Sequence, residues 1–264
     1  MKKIKKLLCL MLVLALACTF FVACDSKGNA SGGSDTQAAS SDEKGDGTIT
    51  FYIIRHGEQL FNATNQIAGW VDSPLTEKGI AQAQNLGKGL KAEGITFDAA
   101  YCSTSERSVD TTDLVLEAAG QSDLNVEHCK GLKELYYGDI EGKYIDTLSE
   151  IMDSDPYETD DPDGWKAYGG ETWAETGERA KAVLEQAIKD NDGKGGNILI
   201  STHGMTIVAL CKALTPDSDL YKDFRAAGGH GLSNCSVTII EYKDGQYTLK
   251  DINDKSFREA GENL

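Results

Sequence analysis

Two histidine-glycine dipeptides, His56-Gly57 and His203-Gly204, follow apolar, β-branched runs, Thr48–Ile54 (TITFYII) and Asn197–Thr202 (NILIST). Both runs read as buried strands. In an open α/β sheet, residues just beyond the carboxyl ends of strands sit where ligands collect. A neutral imidazole is a nucleophile through one ring nitrogen while an acceptor on the other fixes the tautomer. Arg55 precedes the first histidine, and a guanidinium stays charged and holds phosphate oxygens with forked hydrogen bonds. These residue types suit attack on a phosphate ester. A single isolated histidine is more simply a satisfied core residue, so the reading needs further residues in register.

Those residues are present. Asn62 lies four residues beyond Glu58, and Gly69-Trp70-Val71-Asp72-Ser73-Pro74-Leu75-Thr76, Ser103–Arg107, Leu132-Lys133-Glu134, Gly138–Gly142, Gly170-Glu171-Thr172 and Arg179 follow before His203, with Ser233-Asn234 after it. In this order the blocks resemble the histidine phosphatase superfamily, specifically its phosphoglycerate-mutase-like branch, over nearly all of residues 50–253. The resemblance implies that His56 is the nucleophile and carries a phosphohistidine. It implies Arg55, Arg107 and His203 around the phosphoryl oxygens, where fixed positive donors stabilise the transition state. Glu134 would be the general acid that protonates the leaving oxygen and then the base that activates water. Asn62 and the Gly69 backbone would help position phosphate or substrate. Arg179 and Glu171 read as supporting residues, His128 as a surface residue, and His230 as a minor candidate for the pocket. No metal or cofactor is implied, because two arginines and a second histidine supply the positive charge.

The match departs from the family pattern at Gln59, Gln66 and Ala68, none of which removes a catalytic group. Asp153 to Asp163 carries six acids in eleven residues and reads as a solvated loop. Phosphoglycerate mutases carry basic residues there to hold a second anionic group, so the acidic stretch argues against a mutase and against polyanionic substrates. Three function classes stay open: a phosphomonoesterase on a small ester, a phosphoglycerate-mutase-type phosphotransferase, and a silent surface-binding protein that keeps the fold.

The formal net charge is −16 over 264 residues. Such a chain repels nucleic acid, and an anionic substrate must be drawn in by a local arginine cluster. Residues 1–24 combine Lys2, Lys3, Lys5 and Lys6 with an apolar run from Leu7 to Ala23 and end in Phe21-Val22-Ala23-Cys24. This reads as a secretory signal whose end resembles a bacterial lipobox, with Cys24 the residue to be acylated. The expected location is extracytoplasmic, on the bacterial cell membrane through that lipid anchor. Residues 25–47 hold no large apolar residue and read as a flexible linker, with a reach of about 25 Å. Residues 48–264 are then one domain. No cysteines form a CxxC pair, so Cys102, Cys129, Cys211 and Cys235 read as packing residues, with a disulfide among them left open.

The elements that must position the site alternate. Thr76 caps a helix over 77–93, and Phe97–Tyr101 is a short strand. Ser103-Thr104-Ser105-Glu106 has the form of a capping box opening a helix to Ala119. Glu171–Lys189 is an amphipathic helix and Met205–Ala213 a shorter one. Cys235–Tyr242 and Gln246–Asp251 flank the turn signal Asp244-Gly245. Alternating strands and helices predict a three-layer α/β/α sandwich around a mainly parallel sheet. The helices near Ser103 and Gly204 are expected to aim their first N–H groups at the bound anion.

Overall fold

The computed structural model describes residues 46–152, 162–229 and 231–264. The expected signal segment with Cys24, nearly all of the linker, most of the acidic stretch and His230 lie outside the described residues.

Six strands form one sheet in the order β3-β2-β4-β1-β5-β6. They are β1 (Ile49–Arg55), β2 (Ala99–Ser103), β3 (Val126–Cys129), β4 (Gly196–Thr202), β5 (Val237–Lys243) and β6 (Gln246–Asp254). The first four positions in that order run parallel, and β5 and β6 close one edge antiparallel. Among the described residues seven α-helices accompany them: α1 (Leu60–Ala63), α2 (Glu77–Ala92), α3 (Glu106–Ala119), α4 (Trp173–Asn191), α5 (Gly204–Leu214), α6 (Asp219–Ala226) and α7 (Ser256–Gly261).

The strand period of two divides the core. Phe51, Ile53, Ile198 and Ile200 face one apolar layer, shared with Ala180, Leu184 and Ala187 of α4 and Ile207 and Leu210 of α5. Ile54 and Leu199 face the opposite layer, with Ala83, Leu86 and Leu90 of α2 and Val115 and Leu116 of α3. The sandwich expected from the alternation of elements is therefore present. Its central strands carry apolar residues in succession because both faces are covered.

Capping explains where the helices begin. Thr76 Oγ1 accepts from Gly79 N at 3.1 Å and starts α2. Thr172 and Glu175 exchange hydrogen bonds at the start of α4, a reciprocal box that satisfies two otherwise orphaned donors. The box expected at Ser103–Glu106 does not form. Ser103 is the last residue of β2 and α3 starts only at Glu106. The hydroxyl of Ser103 is engaged by His203 instead, at 2.8 Å. The predicted strand boundaries slip by one or two residues here and at β1, since the carboxyl ends are extended by pairing across the sheet. The Asp244-Gly245 turn has φ of 49° and 83°, the left-handed pair that a two-residue hairpin requires.

One consequence of register matters most for the site. Arg55 pairs with Thr202, and Ile54 and Cys102 both align with Ser201. The carboxyl ends of β1, β4 and β2 therefore finish level, which brings His56, His203 and Ser103 to neighbouring positions.

Candidate active site

A cavity of about 360 Å³ opens beyond these strand ends. Arg55, His56, Asn62, Gly69, Arg107 and Glu134 all contribute to its lining. Six of the seven residues expected to act on the phosphoryl group or substrate thus share one cavity, although they come from sequence positions 55 to 134.

His56 is 2% exposed. Its Nδ1 lies 2.7 Å from the carbonyl oxygen of Gly57. A carbonyl only accepts, so the ring proton sits on Nδ1 and Nε2 keeps its lone pair. That lone pair meets the Nε–H of Arg107 at 3.3 Å. Burial above all, then the Arg107 and Arg55 guanidiniums, hold His56 well below the usual histidine pKa. The ring is neutral at physiological pH, the form a nucleophile needs.

Arg107 is fully buried. Its Nη1 donates to Asp72 Oδ1 at 2.7 Å and its Nη2 to the Gly69 carbonyl at 2.8 Å. Helix α3 therefore supplies a charge whose direction is set by the loop before α2. Thr111, one turn later, donates its hydroxyl to the Arg107 carbonyl at 2.7 Å and accepts from Gly57 N at 2.9 Å. It couples the start of α3 to the backbone after His56. Asn234 completes the fixation by donating to the His56 carbonyl at 3.0 Å and to Asn62 Oδ1 at 3.2 Å.

His203 is also fully buried, and its ring centroid is 5.1 Å from that of His56. It is absent from the cavity lining. Burial, then the Arg107 guanidinium, keep it well below the usual histidine pKa. Its Nε2 is 2.8 Å from Ser103 Oγ, which itself accepts from Ser105 N at 3.3 Å. The hydroxyl proton of Ser103 is thus free to go to Nε2, leaving the imidazole proton on Nδ1. That Nδ1 is buried and has no partner among the described residues, and neither has Nε of Arg55. Unpaired buried donors are costly, and a phosphoryl oxygen is a suitable acceptor for both.

Glu134 is 8% exposed. Its Oε1 accepts from Leu135 N at 2.9 Å and Thr206 N at 3.0 Å, and Oε2 from Met205 N at 3.3 Å. The second and third N–H groups of α5 are thus engaged by Glu134. At α3, Glu106 N donates to Asp72 Oδ2 at 2.6 Å. The expectation that both helix starts offer their N–H groups to the anion is therefore corrected: a carboxylate from another segment occupies each, as the helix dipole favours. Oε2 of Glu134, with one long contact, is the oxygen with capacity to carry a proton.

The turn bearing Glu134 is clamped from behind. Arg179 donates to the carbonyls of Gly131, Lys133 and Glu134 and pairs with Glu171 at 2.8 Å. The Trp70 indole N–H donates to the Glu134 carbonyl at 2.8 Å. Gly69, at φ 53°, has no room for a side chain, since a Cβ would fall 2.0 Å from Glu141 Oε1. Glu141 in turn takes the N–H groups of Trp70 and Val71, both at 2.8 Å.

Sequence reasoning assigned no role to Asp72, Thr111 or Asn234, and read Ser103 as a helix cap and not as the partner of His203. Asp72, Ser103 and Asn234 lay inside recognisable blocks, but Thr111 has no local signal beyond being one turn from Arg107. Away from the cavity, His128 is exposed, as expected. Cys102, Cys211 and Cys235 are buried free thiols pushed up to about 12 by burial, in keeping with packing.

The fold and the cavity together define an α/β protein with a histidine-centred site for an anionic group. The chain belongs to the histidine phosphatase superfamily (branch 1), whose family model matches residues 51–255. It is 33% identical over 169 residues to the 2,3-bisphosphoglycerate-dependent phosphoglycerate mutase of Parvibaculum lavamentivorans, covering 61% of this chain and 78% of that protein. The crystal structure of phosphoglycerate mutase from Bacillus anthracis superposes with a TM-score of 0.71 at 33% identity, over 81% of this chain and 97% of the other. Mycobacterial glucosyl-3-phosphoglycerate phosphatase shares the fold at a TM-score of 0.66 and 21% identity, over 78% of this chain and 99% of its own. Membership of this superfamily, among proteins named as mutases and phosphatases, marks the chain as an enzyme.

Proposed function

We propose that the chain is a metal-independent phosphomonoesterase acting on small phosphate esters. His56 Nε2 forms the N–P bond as the ester P–O bond breaks, and the departing oxygen takes a proton from Glu134. Water then attacks phosphorus, gives its proton to the Glu134 carboxylate, and the P–N bond breaks to release inorganic phosphate. Arg55, Arg107 and His203 hold the equatorial oxygens. The observation that carries this reading is the hydrogen bonding of His56: Nδ1 is tied to the Gly57 carbonyl, and Nε2 keeps its lone pair, which meets the Nε–H of Arg107.

The relatives' names favour a second reading, a phosphoglycerate-mutase-type phosphotransferase. A mutase must hold a substrate with a second anionic group. Arg55 and Arg107 are the only cationic side chains among the described cavity-lining residues, and Asp72 already pairs with Arg107. Release of phosphate from p-nitrophenyl phosphate in excess EDTA, lost in His56→Ala, is the expected result for the hydrolase. Interconversion of phosphoglycerates without phosphate release replaces it with the mutase.

We also propose that Cys24 is acylated and tethers residues 48–264 to the outer face of the membrane through the 25–47 linker. The basic, apolar and lipobox-like succession of residues 1–24 supports this. Cys24→Ser should shift the protein out of the membrane fraction and abolish palmitate incorporation.

A further inference from the structure

The residues that line the cavity fall into two chemically distinct sets. His56, Arg55, Arg107 and Glu134 form one. Ile67, Ala68, Ile145, Leu148, Met205 and Leu232 form the other, an apolar wall. The other polar side chains on the wall are uncharged, the phenol of Tyr137 and three amides, and each amide has a partner within the protein. Gln59 Oε1 accepts from Ser73 Oγ, Asn62 Oδ1 from Asn234, and Gln66 Nε2 donates to the Gly142 carbonyl.

We infer that the enzyme selects esters whose leaving group is an uncharged, apolar alcohol, with Ile145 and Leu148 as specificity-determining residues. This rests on the phosphomonoesterase reading above. A second carboxylate or phosphate against this wall would be buried without a counter-charge, which is strongly unfavourable. An alkyl or aryl group would instead exchange water for an apolar surface.

The wall is built into the fold. The turn that carries Ile145 and Leu148 is pinned to the segment after α1 by Ile145 N to the Asn65 carbonyl at 2.9 Å, Ile67 N to the Lys143 carbonyl at 3.0 Å and Gly142 N to the Ile67 carbonyl at 2.7 Å. Ile145 is 48% exposed and extends the apolar wall to the rim. A leaving group longer than the cavity therefore still finds apolar surface at the mouth.

The test uses the full chain and the straight-chain alkyl phosphates from ethyl to hexyl, with 3-phosphoglycerate as the charged competitor. Homologous alcohols leave almost equally well, so a trend with chain length reports the wall and not the chemistry. The expected result is a rise in kcat/KM of up to about fourfold per methylene, with hexyl phosphate at least tenfold ahead of 3-phosphoglycerate. Ile145→Lys, at a half-open position that tolerates a long polar chain, should reduce the hexyl-to-phosphoglycerate ratio by about tenfold or more. Leu148→Gln should flatten the chain-length trend. Release of phosphate from 3-phosphoglycerate as fast as from hexyl phosphate overturns the apolar selection and leaves the hydrolase intact. Phosphoryl transfer between phosphoglycerates with no phosphate released from any ester overturns the hydrolase reading, and the selection with it.

Discussion

The ends of β1 and β4 carry the same His-Gly dipeptide on adjacent, level strands, yet their imidazoles are wired in opposite ways. At the end of β1, the backbone of the next residue takes Nδ1 of His56 and leaves Nε2 unprotonated, with its lone pair toward the Nε–H of Arg107. At the end of β4, the hydroxyl of Ser103 from the neighbouring β2 takes Nε2 of His203 and leaves Nδ1 without a partner among the described residues. Burial keeps both rings neutral. What separates a nucleophile from an oxyanion donor is therefore which nitrogen a neighbour has already claimed, and in one case the neighbour is the next residue of the chain, in the other the adjacent strand of the sheet.

The largest effect that can break this contrast comes from the rings themselves. His56→Ala should lower kcat on the order of 10⁴-fold or more and abolish acid-labile labelling by a radioactive phosphate ester. His203→Ala should cost about 100- to 1000-fold and still label, because it removes a donor and not the nucleophile. Equal loss of labelling in both variants would show that the two rings share one role.

Removing Asp72 sharpens the contrast from the arginine side. Asp72→Asn leaves Arg107 without its only carboxylate partner among the described residues. Steady-state kinetics should show kcat falling by about tenfold as the guanidinium loses its orientation toward His56. An unchanged kcat would mean that the Gly69 and Val71 carbonyls alone suffice.

Acid should act on both rings at once. The unfolded chain takes up a proton on each histidine near pH 6.5, whereas the folded rings, with lowered pKa values, do not. Stability is therefore intact above that pH and falls as pH drops below it, by up to about 1.4 kcal/mol per histidine for each pH unit until the folded pKa is reached. Urea denaturation at pH 7 and pH 5.5 measures the drop, and His203→Asn should diminish it. The smallest effect is expected from Ser103→Ala, which unties only Nε2 of His203. A loss of roughly tenfold or less in kcat, with labelling of His56 preserved, fits a single lost hydrogen bond.

Much of this was legible in the residues alone. The strands that end in His56 and His203 follow from β-branched apolar runs, the start of α2 from Thr76, and the body of α4 from its apolar stripe. Each depends on neighbours within a turn or two. The start of α3 misled the same reasoning, because Ser103, a good capping residue by type, meets a stronger partner 100 positions away. The lining contributed by Asn62, Gly69, Arg107 and Glu134 was anticipated through the order of the blocks, but the residues that orient them were not.

The sequence by itself determined the class of fold, the two strand ends and the family, because those reside in local periodicity and in the order of short motifs. Only the tertiary structure decided which nitrogen each imidazole presents, that Asp72 aims Arg107, that Glu134 occupies the start of α5, and that an unpatterned turn near Leu148 makes the wall apolar. Apart from Nδ1 of His56, which its neighbour Gly57 holds, those outcomes depend on partners separated by 35 to 100 positions. Such partners are brought together by strand order and register, which no stretch of local sequence encodes.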